Sequence, residues 1–90
     1  MNWYKTSKTV LSQSSIYQYI KDNPIDVLTL RMDELPNGFD LIEENNEWYV
    51  YGPDGTLLVN REQDRIQAIV LAKMRIDYIN RAIQSDLTNS

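Results

Sequence analysis

Ile69, Ala72, Ile76, Ile79 and Ile83 recur at alternating steps of three and four residues, the spacing that places apolar side chains along one seam of a helix. A second row, Ile66, Val70, Met74 and Tyr78, runs at steps of four on a neighbouring face, and Leu71 and Ala82 widen it. A surface helix ordinarily shows one apolar stripe a little over about 100° wide, so a helix that is apolar over so much of its girth must be covered on two sides. The pattern predicts a helix from residue 61 to about residue 84. Asn60 would be its cap, with Gln63 where a capping box places Gln or Glu. Such a helix is about 36 Å long, whereas a strand of five or six residues spans about 17–20 Å, so its last turns outrun any sheet beneath it. Two readings follow. The sheet takes one stripe and a short helix the other, or a second chain shares one of them. The second reading makes Ile69, Ala72, Ile76, Ile79, Ile83, Met74 and Tyr78 the candidate partner-binding residues.

The sheet is legible in the middle of the chain. Phe39 to Glu44 and Glu47 to Gly52 flank Asn45-Asn46, and Asn tolerates the positive φ that a two-residue hairpin turn demands. With that loop, Glu44 faces Glu47, Glu43 faces Trp48, Ile42 faces Tyr49 and Leu41 faces Val50. Phe39, Leu41, Trp48 and Val50 then share one face, and Ile42, Tyr49 and Tyr51 the other. Gly52-Pro53-Asp54-Gly55 suits a type I turn followed by a bulge, and Thr56 to Val59 is the returning strand, its register left open by three consecutive apolar residues. A sheet with large side chains on both faces needs a second cover: the short helix, the N-terminal Trp3-Tyr4, or a partner.

Before the meander, residues 12–22 read as a short helix. Ser12 or Ser14 can cap it, Ile16, Tyr19 and Ile20 form its face, and Asn23-Pro24 stops it. Residues 25–35 carry both helical and alternating apolar spacing; the β-branched residues at alternate positions favour a strand. Pro36-Asn37-Gly38 then turns the chain. Residues 1–10 are a candidate loose extension and 85–90 a candidate loose tail of what is otherwise a single domain over 1–90.

Charge is unevenly placed. Residues 1–21 hold Lys5, Lys8 and Lys21 and no acid. Residues 22–64 hold eleven acids against Arg31 and Arg61, a net −9, and the whole chain carries −4. Asp40, Glu43, Glu44, Glu47 and Asp54 cluster near the hairpins, either as a solvated edge or as an acidic patch aimed at a basic partner. Phosphate recognition needs clustered Lys and Arg, so direct binding of nucleic acid is disfavoured. Tyrosines on a sheet can stack bases, but here Asp and Glu flank them. With neither His nor Cys, metal sites built on those residues and Ser–His or Cys–His nucleophile pairs are excluded. The carboxylates do not follow the calcium-loop order, and the Gly52–Gly55 turn lacks the Lys-Ser/Thr of a phosphate loop. No cofactor, metal or catalytic residue is expected. The longest apolar run, Ala68 to Ala72, is far short of the roughly 20 residues of a membrane span. No apolar leader core is read near the N-terminus. The expectation is a cytoplasmic chain.

The order helix, three-strand meander, helix resembles that of double-stranded-RNA-binding domains, and a meander followed by a helix resembles the arm-type domains of phage integrases. The basic residues those domains use on phosphates are missing from this meander, and no motif accompanies the likeness. The sequence therefore predicts an α+β fold, a three- or four-stranded antiparallel meander on a long C-terminal helix with a short N-terminal helix. Its function is expected to be protein interaction: self-association through the C-terminal helix, or an acidic inhibitor of phage type that occupies a basic groove on a target.

Overall fold

A computed structural model describes residues 15–89. The capping serines Ser12 and Ser14, and Trp3-Tyr4 as a cover for the sheet, lie outside the described residues. The order is helix α1 (Ser15–Asp22), a single 3-10 turn (Val27–Thr29), strands β1 (Asp40–Glu44), β2 (Glu47–Tyr51) and β3 (Leu57–Glu62), and helix α2 (Arg65–Asn89). The three strands form one antiparallel sheet in the order β1-β2-β3, so the fold is α+β.

The first hairpin has the anticipated register: Leu41 pairs with Val50, Ile42 with Tyr49, Glu43 with Trp48 and Glu44 with Glu47. Asn45 and Asn46 both take positive φ, 55° and 64°, which matches the turn's twist to that of the strands. The second turn closes with Gly55 N–H donating to Gly52 O at 3.0 Å and Gly52 N–H to Thr56 O at 2.8 Å. Gly55 sits at φ +88°, where a side chain would strain the backbone.

Irregularities in β3 resolve the register that the sequence leaves open. Val50 pairs with Val59 and Tyr51 with Leu57, so Leu58 is an extra residue, and both Leu58 and Val59 turn into the core. A second irregularity follows, between Val59 and Glu62, which pairs with Trp48. It carries Arg61 at φ +57°, an uncommon conformation for a residue other than glycine and one typical of bulges that kink an edge strand. Asn60 and Arg61 thus belong to β3 and not to the helix. The helix starts four residues later than the spacing predicts, at Arg65, and continues past the predicted end near 84 to Asn89. Asp64 caps it: its carboxylate accepts from Gln67 N–H at 2.9 Å and its carbonyl from Ala68 N–H at 3.0 Å.

The predicted strand over 25–35 is also corrected. Asp26 accepts from Leu28 N–H at 3.0 Å and starts a 3-10 turn, after which the chain runs irregularly along α2. Local side-chain bonds of this kind compete with a sheet ladder. Two side chains of α2 hold this connection: Asn80 donates to Ile25 O at 2.8 Å, and the Lys73 ammonium donates to the carbonyls of Arg31 and Met32.

The core lies between one face of the sheet, α1 and α2. Ile16, Tyr17 and Ile20 from α1, Val50 from β2, and Leu58 and Val59 from β3 meet Ala68, Ala72, Ile76, Ile79 and Ile83 of α2. The seam of the long helix is thus internal, and α1 packs beside α2 on the core side of the sheet. Ile16 comes so close to the second turn that a Cβ on Gly52 would lie 2.9 Å from its Cδ1. Ser15 adds a polar tie at the same place. Its hydroxyl donates to Asp54 at 2.5 Å, and Asp54 also accepts from the Thr56 hydroxyl at 2.6 Å and the Thr56 N–H at 3.2 Å.

Candidate functional site

The structure divides the candidate residues by face. Ile69, Ala72, Ile76 and Ile79 are at most 1% exposed and Ile83 is 7% exposed. These five are corrected from candidate partner contacts to core, because the chain's own sheet and α1 take the 3-4-3-4 seam. Met74 and Tyr78, from the second row, remain at the surface, 54% and 36% exposed.

Met74 does not stand alone. The 25–35 connection lays Leu28 and Met32 beside it, 87% and 73% exposed, and with Val70 they line a hollow of about 270 Å³ bordered by Lys73 and Asp77. Sequence spacing found the helical half of this patch. The other half was hidden because Leu28 and Met32 read as strand residues. A larger hollow, about 590 Å³, continues along the helix between Ile25, Asn80, Ile83 and Leu87 and shares Val27, Leu28 and Asp77 with the first.

The second surface is the sheet face turned away from α2. Residues directly opposite one another in an antiparallel pair lie on the same side, so the pairings Asp40–Tyr51, Ile42–Tyr49, Glu44–Glu47 and Tyr51–Leu57 put these residues on one face. Ile42 is 42% and Leu57 39% exposed, while Tyr49 and Tyr51 are half-buried. Among the described residues no helix covers them. They form a hollow of about 420 Å³ along β1, with Asp40, Ile42 and Glu44 on one side, Tyr49 and Tyr51 on the other, and Gly52, Pro53 and Gly55 at the end. Leu57 joins this face because of the adjacent bulge, which its run of apolar neighbours concealed.

The acidic candidates separate accordingly. Asp40, Glu44 and Glu47 stand on the open face. Glu43 pairs with Trp48 on the opposite one. Asp54 belongs to the turn: partial burial pushes its carboxyl up, but the hydrogen bonds from Ser15 and Thr56 outweigh that and hold it below the ordinary carboxylate value. Among the described residues no three acidic side chains converge as metal ligands, and no helix is long and apolar enough to cross a membrane. A strongly raised group lies elsewhere. Tyr17 is pushed up to about 12 by its hydrogen bond to Asp86, by burial and by the Asp86 charge. This pair ties α1 to the last turns of α2. Comparison with known protein families, curated proteins and solved structures gives no match.

Proposed function

We propose that this chain is a non-enzymatic protein-interaction or adaptor domain that works as a homodimer through the outer row of its long helix. The observation that carries the reading is the exposure of Leu28, Met32 and Met74 around one hollow. Full burial of such a side chain is worth about 1.5–3 kcal/mol, and large exposed apolar patches mark interaction sites. A second copy suits the patch because its exposed residues are apolar while the charges at its border are held within the chain. Lys73 and Asp77 border it one helical turn apart. Lys73 donates to the Arg31 and Met32 carbonyls and Asp77 pairs with Arg81 at 3.0 Å. Two α2 helices crossing antiparallel near Met74 would therefore meet through Leu28, Met32 and Met74 of each copy, the same patch on both sides as a two-fold interface requires. A cytoplasmic setting belongs to this reading, in keeping with a chain that uses no cysteine.

A second reading, an acidic inhibitor of phage type that occupies a basic groove, is supported by Asp40, Glu44 and Glu47 on the sheet face that no helix among the described residues covers. Binding of that kind is fast and sensitive to salt, and an affinity unchanged from low to high salt counts against it. The test of the first reading is the double substitution Leu28→Glu with Met74→Glu. It is expected to leave circular dichroism unchanged and to reduce the molar mass in solution from two chains to one. An unaltered assembly would remove this patch from the interface.

A further inference from the structure

β1 presents acid, apolar, acid along its open side: Asp40, Ile42 and Glu44, each two residues from the next. At about 3.4 Å per strand residue the outer pair stand about 14 Å apart. Tyr49 and Tyr51 wall the other side of the hollow, and aromatic rings attract cations. An extended segment has the same repeat as the strand below it, so its residues i, i+2 and i+4 match these three positions one for one. A helix would need nine residues to span the same distance.

We infer that the open sheet face binds an extended segment of a protein partner in which two basic residues flank an apolar one at i, i+2 and i+4. The two ammonium or guanidinium groups meet Asp40 and Glu44, and the central apolar side chain lies on Ile42 beside Tyr49, its cross-strand partner. Glu47, opposite Glu44, strengthens the negative field at that end. Charge selects the partner class, because the carboxylates repel phosphate and attract Lys and Arg. The inference goes beyond the homodimer reading and uses a different surface, so either can fail alone.

The probe is the capped peptide Ser-Lys-Ser-Leu-Ser-Lys-Ser, added to the ¹⁵N-labelled full chain and followed by amide chemical shifts. The expected result is saturable shifts confined to β1, β2 and Leu57. Affinity should weaken several-fold between about 0.01 M and 1 M salt, as the screening length contracts from about 30 Å to about 3 Å. A peptide with Glu for Lys should give none, and one with its two lysines adjacent should bind several-fold more weakly. Asp40→Asn with Glu44→Gln should abolish the shifts while the unbound spectrum stays dispersed, and Met74→Glu should leave them intact. Equal binding of the permuted peptide, shifts centred on α2, or no shifts at all would overturn the inference. So would binding seen only in the variant Trp3→Ser with Tyr4→Ser, which would assign the face to residues 1–14 of this chain.

Discussion

Ile76→Glu and Met74→Glu place the same charge two residues apart on α2 and should have opposite consequences. Ile76 is fully buried and Met74 is 54% exposed. At Ile76 the lost apolar packing costs about 2–5 kcal/mol, the range of large-to-small core substitutions. The new carboxyl must also stay neutral. Holding a group of ordinary pKa about 4.3 protonated near pH 7 costs a further ~3.7 kcal/mol, at about 1.36 kcal/mol per pH unit. The total, about 6–9 kcal/mol, is a large part of the roughly 5–14 kcal/mol expected of a domain this size, so Ile76→Glu should lose most of its stability. Met74→Glu removes a side chain already half in water and should shift the stability of the folded chain by no more than about 0.5 kcal/mol, as surface substitutions do. Urea titration followed by circular dichroism measures both. The proteins should be compared at concentrations low enough that assembly does not contribute to the midpoint. A cooperative Ile76→Glu transition near that of the parent would refute the assignment of the 3-4-3-4 seam to the core.

Three further outcomes follow from the ties between elements. Tyr17, one of six tyrosines, should ionise only near pH 12. Its contribution to stability is fully present below the ordinary value of 10.0 and is lost as pH rises through about 12; an ultraviolet titration should show one tyrosine lagging, and Tyr17→Phe should remove the lag. The lowered pKa of Asp54 makes its contribution present above the ordinary carboxylate range and lost as pH falls through the folded value. Asp54→Asn should therefore flatten the acid limb of a stability–pH curve, and an unchanged limb would mean the turn bonds are not maintained in water. Gly52→Ala, whose Cβ would lie 2.9 Å from both Ile16 and Asp54, should cost about 1–3 kcal/mol by overpacking, read as a lower urea midpoint.

The first hairpin was legible because side-chain chemistry and turn chemistry agree there: Asn45-Asn46 admits one loop length, and that length fixes every pair from Leu41 to Glu47. The helix start was not legible, because Asn60 and Asp64 are equally good caps and the choice is made by the kink at Arg61, which leaves no signature in an arginine. The 25–35 connection misleads for a related reason. Its alternation of apolar residues is real, but Leu28 and Met32 are spaced by a capped turn and by Lys73 and Asn80 reaching from α2, not by a ladder. The two rows of the long helix were both visible in the sequence. Which row faces inward depends on where α1 and the sheet settle, and only the three-dimensional packing decides that. The acidic cluster was visible as a count, while strand alternation and one turn sort it into three carboxylates on the open face, one on the core side and one bonded within the second turn.

The most direct test of the central claim is the molar mass by light scattering after size exclusion, over a wide range of loading concentrations. Self-association through the outer row of α2 predicts a mass approaching twice 10.6 kDa as concentration rises, and a single-chain mass for Met74→Glu at the same concentrations. A parent protein that stays at the single-chain mass at the highest concentration would contradict the homodimer reading.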